Sequence, residues 1–297
     1  MKASTDFITE INGCKVWLKR DDKFGKGIKG NKFRKLKYNI LKVKEDNLKG
    51  LVTFGGAFSN HLYATALAGK INKIETFGIV RGDEWQFKIK ENPTLSNCID
   101  FGMNLIFVSR KIYKQKHSLN FWSLIGFNPK DLYIIPEGGT NELAIQGTSE
   151  ILDEDDKIYD SICCPVGTGG TIAGLIKGSH SKQKVIGYSS LNNQELKNEV
   201  NKLVNGYDWD LNEDYTFGGY AKSSSELISF INNFKKKYSI QLDPIYSGKM
   251  LFGIFDKIKK GKWIWGNKIL AIHTGGFQSI EGFNIRQLKK GLLCIKL

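Results

Sequence analysis

Ser161-Ile162-Cys163-Cys164-Pro165-Val166-Gly167-Thr168-Gly169-Gly170-Thr171 is an apolar run that ends in three glycines and two threonines. The run Ser161–Val166 predicts a buried strand, and Thr171–Lys177 opens a helix. Glycines let a backbone approach an anion closely, and consecutive N–H groups form a nest for it. The helix N-terminus adds positive potential, and the threonine hydroxyls add donors. By mechanism this is a phosphate cradle. It lacks the Gly-Lys-Ser/Thr of a P-loop and the spacing of a dinucleotide fingerprint. An ordinary tight strand-to-helix turn would have the same composition.

The same alternation extends on both sides. Strands are predicted at Leu51–Phe54, Thr76–Val80, Asn104–Ser109, Leu132–Ile135, Lys184–Ser189 and Lys268–His273. Helices are predicted at Asn60–Gly69 and Asn141–Leu152. Near-continuous apolar strands separated by helices predict an α/β fold with parallel sheets covered on both faces. Glycine-rich turns also follow other strands, at Gly55-Gly56-Ala57, Gly138-Gly139 and Gly275-Gly276. Ligands of open α/β sheets bind outside the carboxyl ends of the strands, so these turns are expected to converge on one cleft.

The chain has 297 residues, 41% apolar and 25% charged, which excludes disordered and collagen-like classes. No apolar run nears the ~18 residues of a membrane span, and Met1–Glu10 lacks a signal-peptide core, so a cytoplasmic protein without membrane contact is expected. Lys and Arg number 44 against 30 Asp and Glu, a net charge of +14. The excess is mostly lysine spread along the chain, without the aromatic interleaving of a nucleic-acid site; a solvated basic surface is expected and no nucleic-acid partner. Nucleic-acid binding is the alternative of another class; it would show as salt-dependent affinity without a chromophore. Five cysteines without a CxxC pair argue against a disulfide framework or a zinc site.

Two further stretches carry chemistry. In Lys29-Gly30-Asn31-Lys32-Phe33-Arg34-Lys35-Leu36, Lys32 precedes a helix-period run with Leu36 and Ile40, and cations surround it. Neighbouring positive charge lowers an amine's pKa, and a neutral lysine is what Schiff-base chemistry needs; a solvent-facing basic helix start is the bland reading. In Gly55-Gly56-Ala57-Phe58-Ser59-Asn60-His61, Ser59 or Asn60 is a good helix N-cap. The hydroxyl, the amide and the first helical N–H groups could equally hold a carboxylate, and His61 could move protons.

Taken in order, Gly-Asn-Lys-x-Arg-Lys-Leu at Lys32, Gly-x-x-Ser-Asn-His, Pro-Glu-Gly-Gly, Gly-Thr-Gly-Gly-Thr, Asp243-Pro244-Ile245-Tyr246-Ser247-Gly248-Lys249 and His273-Thr274-Gly275-Gly276 resemble one family. It is the 1-aminocyclopropane-1-carboxylate (ACC) deaminase / D-cysteine desulfhydrase family of pyridoxal-phosphate (PLP) enzymes, fold type II, similar to tryptophan synthase β. The resemblance implies two open, twisted, mostly parallel sheets flanked by helices. It implies a large PLP-binding domain of residues 1–47 and 150–297, a small inserted domain of residues 48–149, and a homodimer. Lys32 corresponds to the lysine that carries PLP and shuttles the α-proton. Asn60 corresponds to the residue bonding the cofactor's 3′-oxygen, and Gly167, Thr168, Gly169, Gly170 and Thr171 to its phosphate loop, with Thr274 also on the cofactor. Ser59 and Tyr246 correspond to catalytic residues near the substrate, with Asn60, His61 and Ser247 as further substrate contacts. Tyr220 corresponds to a second active-site tyrosine, although Phe217-Gly218-Gly219-Tyr220 replaces the family's Pro-Gly-Tyr pattern.

Ser247 and Thr274 match the D-cysteine desulfhydrase type, where ACC deaminases carry Glu and Leu. A carboxylate keeps a pyridine nitrogen protonated and strengthens the electron sink, whereas a hydroxyl does not. The expected reaction is therefore β-elimination from a small amino acid, D-cysteine giving pyruvate, hydrogen sulfide and ammonia. ACC deamination and D-serine dehydration on the same scaffold are the alternatives.

Overall fold

A computed structural model describes residues 2–297. Among these, ten strands form two sheets. The larger has six: β1 (Thr5–Ile11), β2 (Cys14–Lys19), β7 (Ser161–Val166), β8 (Lys184–Ser189), β9 (Trp209–Asn212) and β10 (Lys268–Ile272), in the order β1-β2-β10-β7-β8-β9. The smaller has four: β3 (Gly50–Gly56), β4 (Glu75–Arg81), β5 (Met103–Val108) and β6 (Leu132–Ile135), in the order β5-β4-β3-β6. All neighbours are parallel except the β1–β2 hairpin, as an α/β fold of this class requires. The helices are α1 (Asn31–Glu45), α2 (Asn60–Asn72), α3 (Pro93–Asp100), α4 (Arg110–Tyr113), α5 (Phe121–Leu124), α6 (Glu142–Ser149), α7 (Gly170–Gly178), α8 (Leu196–Val204), α9 (Ser225–Tyr238), α10 (Ser247–Lys259) and α11 (Gln278–Leu288). None is long and apolar enough to cross a membrane among the described residues.

Both faces of the larger sheet are covered. Side chains alternate across a strand, so adjacent Cys163 and Cys164 enter different cores. Cys163 packs with Val16, Leu18 and Ile269 beneath α9 and α10, and Cys164 with Ile162 and Val185 beneath α7 and α8. These cysteines are free thiols, buried and pushed upward in pKa by that burial.

The hairpin lay outside the predicted strands. Its turn, Asn12-Gly13, places both residues at positive φ (49° and 79°), the geometry of a two-residue hairpin. Residues 1–47 were expected to travel with the larger sheet. β1 and β2 do, but the apolar stripe of α1 (Leu36, Ile40 and Val43) packs with Leu51, Ala64, Ala68 and Ile135 against the smaller sheet. A stripe at i, i+4 and i+7 must bury itself against an apolar face, and α2 with β3 provides one.

The start of α1 is fixed to the opposite sheet. Gly30 has φ 68° and ψ −154°, and a Cβ there would overlap the Thr274 carbonyl oxygen. The Asn31 N–H donates to that carbonyl at 3.2 Å. Gly13→Ala and Gly30→Ala separate backbone strain from contact. At Gly13 a methyl meets nothing within 4 Å, so the change is expected to cost about 1–2 kcal/mol from the left-handed backbone. Gly30→Ala is expected to cost more, because the Thr274 carbonyl must also move. Denaturant melts of the two variants check the order.

Candidate active site

A cavity of about 1500 Å³ opens between the sheets, at the carboxyl ends of β3 and β7. It is lined by residues from every motif singled out above: Lys32, Ser59, Asn60, His61, Gly167, Thr168, Gly169, Thr171, Tyr220, Tyr246 and Thr274.

Lys32 lies in the first turn of α1 with its amine toward the Gly138 carbonyl (3.4 Å). Burial lowers its pKa to about 8. The sequence pointed to neighbouring cations as the cause, but Arg34 is paired with Asp21 (2.8 Å) and Lys37 with Glu150 (2.8 Å). The second amine at this place is Lys35, one turn on. It donates to the same Gly138 carbonyl at 2.8 Å, and burial, then the charge of Lys32, drive its pKa well below the ordinary range.

Lys35 sits beneath the 167–171 turn. A Cβ on Gly170 would come within 2.9 Å of the Lys35 amine and 2.7 Å of Thr140 Oγ1, so a side chain there would push both aside. Gly169, at φ 84°, caps α7 and leaves the leading amides of that helix without intrahelical acceptors. Asn31 Nδ2 donates to Thr171 Oγ1 at 2.9 Å, which ties the residue beside Lys32 directly to this cradle. An anion here would meet amide N–H groups, hydroxyls and the Lys35 amine.

On the other side, Ser59 caps α2, its Oγ accepting from the N–H groups of His61 and Leu62 (both 3.2 Å). His61 is buried, and its Nε2 lies 2.8 Å from Thr53 Oγ1. The Thr53 hydroxyl donates its single proton to the Ile135 carbonyl (2.9 Å), so it accepts from His61 Nε2–H. His61 Nδ1 is then an unprotonated acceptor, buried with no partner among the described residues. Burial, with the charges of Lys32 and Lys35, holds the imidazole well below its usual pKa. His61 is thus neutral, and its tautomer is fixed.

Ser247 does not reach the cavity. It is fully buried, and its hydroxyl donates to Asp243 Oδ1 at 2.6 Å. Asp243 also accepts from the N–H groups of Ile245, Tyr246 and Ser247, each at 2.8 Å. The expected contact between Ser247 and substrate is corrected on this ground: its hydroxyl belongs to the turn that aims Tyr246. Tyr246 itself lies against Gly167, and burial raises its pKa well above the ordinary value. Its ring meets that of Tyr220 edge-on, with centroids 6.3 Å apart.

Lys249 was quoted in the sequence without a role. Its buried amine donates to the carbonyls of Thr216 (2.7 Å) and Gly219 (2.8 Å), with that of Ser190 at 3.5 Å. It therefore holds the loop that carries Tyr220. Lys35, Asp243 and Lys249 were missed as site residues because a lysine or aspartate one turn from a motif reads as surface charge. The Asp-Pro turn was the one local signal available for Asp243.

Comparison with known proteins places this cavity in context. The model of the family described as "Pyridoxal-phosphate dependent enzyme" matches residues 4–275. The chain is 32% identical to the mitochondrial bifunctional D-cysteine desulfhydrase/1-aminocyclopropane-1-carboxylate deaminase of Arabidopsis thaliana, over 89% of this chain and 73% of the relative. It is 26% identical to the D-cysteine desulfhydrase of Serratia proteamaculans, over 93% and 91% of the two chains. The crystal structure of an ACC deaminase homologue superposes with a TM-score of 0.79 at 25% identity, covering 97% of this chain and 94% of that one.

Lys249→Met leaves the carbonyls of Thr216 and Gly219 without their donor. The expected loss is about 1–3 kcal/mol of stability, together with faster tryptic cleavage at Lys222 in the freed loop. Thermal melts and timed digestion measure both.

Proposed function

The chain belongs to the pyridoxal-phosphate dependent enzymes, within the ACC deaminase/D-cysteine desulfhydrase group, and on that premise we propose that it eliminates the β-substituent of a small amino acid, with D-cysteine as substrate and pyruvate, hydrogen sulfide and ammonia as products. The observation that carries this reading is the Lys32 amine. It is a primary amine of pKa about 8 facing a cavity between an anion cradle and the N-terminus of α2.

The residues fit the family's cofactor. The 167–171 turn, Asn31 and Lys35 make a site for its phosphate, and the glycine at 170 leaves the Lys35 amine in place beneath the turn. Lys35 has no carboxylate partner among the described residues, so a phosphate would restore the charge that burial suppresses. Bound there, PLP supplies an aldehyde for an amine and a sink for the charge that develops at Cα. Lys32, half neutral at about pH 8, takes the α-proton. The Ser59 hydroxyl and the first amides of α2 hold the substrate carboxylate. Asn60, whose Nδ2 lies beside Gly276, and Thr274 line the cavity and would hold the cofactor's ring. Tyr246, kept protonated by burial, gives a proton to the departing sulfur, and Tyr220 closes the cavity over it. His61 contributes an acceptor at Nδ1 and no proton.

D-Cysteine is proposed over ACC because Ser247 and Thr274 stand where the resemblance gives ACC deaminases Glu and Leu; the serine, seated in the Asp243 turn, supplies no acid for a pyridine nitrogen. Thiolate departure requires less electron withdrawal than opening a cyclopropane ring. Relatives are named for either activity, so the substrate rests on this argument. The domain division is likewise a proposal, with α1 moved to the smaller unit, as is a homodimeric assembly.

Lys32→Ala is expected to abolish both the visible absorption of bound PLP and keto-acid release; retention of either overturns the assignment. For cofactor-free protein, only the neutral Lys32 amine reacts. The rate of PLP uptake should therefore rise with pH up to about 8 and level off above it, as read by stopped-flow absorbance. Keto-acid and sulfide assays over D- and L-cysteine, D-serine and ACC test the substrate; ACC turnover matching that of D-cysteine overturns the choice.

A further inference from the structure

Lys249 is a buried amine that the proposed reaction does not use. It lies in the first turn of α10, three residues after Tyr246, and is 1% exposed. An ammonium has three protons to give, and three carbonyl oxygens surround this one: Thr216 at 2.7 Å, Gly219 at 2.8 Å and Ser190 at 3.5 Å. Ser190 also keeps a buried hydroxyl without a partner among the described residues, a spare oxygen on the third ligand. No carboxylate takes part. Asp243, whose charge favours the ammonium, spends its oxygens on the turn before α10. Burial lowers the pKa of Lys249 to about 8, so it stays mostly protonated at pH 7. The loop bends against its own preferences to present these carbonyls. Phe217, Gly218, Gly219 and Ala221 all have positive φ (51°, 87°, 112° and 55°), a conformation that the side chains of Phe217 and Ala221 disfavour. Buried carbonyl oxygens that converge with nothing between them repel one another, so the charge at their centre is what holds the loop closed.

The three carbonyls belong to stretches far apart in the chain. Ser190 follows β8, and its N–H donates to the Val166 carbonyl (2.9 Å), next to the 167–171 turn. Thr216 and Gly219 lead into Tyr220, and α10 starts beside Tyr246; the rings of these tyrosines meet with centroids 6.3 Å apart. Rings of backbone carbonyls are how proteins hold potassium, the oxygen dipoles replacing the ion's water. We infer that the Lys249 ammonium is a built-in monovalent cation: it fills a carbonyl site of the kind that takes potassium, and through it sets Tyr220 and Tyr246 relative to each other. Lys249 is thus a positioning residue, and its effect on turnover rests on the elimination proposed above. The unaltered enzyme needs no dissolved cation. Removing the ammonium while keeping the stem leaves a site that potassium can enter.

The test uses the holoenzyme of Lys249→Met, which keeps an apolar stem and loses the charge. Keto-acid release is assayed in the chlorides of potassium, sodium, lithium and tetramethylammonium at equal ionic strength. In tetramethylammonium, an ion too large for the site, kcat is expected to fall about ten- to a hundredfold, with a smaller change in KM. Potassium should raise it again by about tenfold, saturably, and slow tryptic cleavage at Lys222 over the same concentrations. Lithium, which holds its water tightly, should do least. The unaltered enzyme and Lys49→Met, a change at an exposed lysine of the smaller sheet, should show no preference among the four salts. A folded Lys249→Met that is equally slow in every salt overturns the proposal and leaves Lys249 as a packing and hydrogen-bonding group. Full activity in tetramethylammonium overturns it too, as does activation of the unaltered enzyme by potassium. If Lys249→Met does not fold in tetramethylammonium, refolding becomes the readout: recovery in potassium supports the site, and failure in every salt overturns it. If the unaltered enzyme releases no keto acid from any amino acid, the elimination itself fails. The potassium dependence of melting and of cleavage at Lys222 in Lys249→Met then decides the cation site alone: its presence supports the site, and its absence overturns it.

Discussion

The contact between Gly30 and the Thr274 carbonyl holds the site together. The larger sheet ends β10 in the turn that carries Thr274, while α1 packs on the smaller sheet and carries Lys32. Only a glycine lets the two backbones meet, and the Asn31 N–H fastens the contact at 3.2 Å. From this junction Lys32 faces the Gly138 carbonyl, Asn31 reaches Thr171, and Lys35 falls beneath the phosphate turn. Loosening it would move the reactive amine and its anion cradle relative to each other. Displacements of this size weaken catalysis sharply, because positioning supplies much of the rate.

Unpaired positive charge is the second theme. Lys32, Lys35 and Lys249 are amines without carboxylate partners among the described residues, held by carbonyl oxygens. Burial lowers the pKa of each. An isolated buried cation is unfavourable unless it is solvated by dipoles or meets an anion. At Lys249 the dipoles are three carbonyls; at Lys35 the missing partner is the ligand. Part of the +14 charge is thus a cavity awaiting anions. The remainder includes exposed lysines outside any ion pair among the described residues, such as Lys26, Lys29 and Lys73.

The parallel core was legible because buried strands leave short apolar runs and glycine turns. Leu132–Ile135, Ser161–Val166 and Lys184–Ser189 fall where the pattern put them. The β1–β2 hairpin was not read. Its alternation of polar and apolar residues is diluted by Lys15 and Glu10 at the edge, although Asn12-Gly13 was a usable signal. The packing of α1 against the smaller sheet was not legible, because periodicity tells that a face is apolar and not what covers it. Within the site, residues adjacent to glycine motifs were readable, since the motif fixes their direction. Ser247, Asp243 and Lys249 were not. Which of two nearby polar groups faces the cavity, and which charges lack partners, depends on elements far apart in the chain.

The strand order also fixes when each part of the molecule can exist during synthesis. The four strands of the smaller sheet arise from one continuous stretch, residues 50–135, and can pair soon after leaving the ribosome. β2, made almost first, is flanked on one side by β10, with Lys15 opposite Lys268. The hairpin must wait for nearly the whole polypeptide before its inner edge is covered. A nascent chain therefore displays an unpaired β2 edge for most of translation, the kind of surface that chaperones shield.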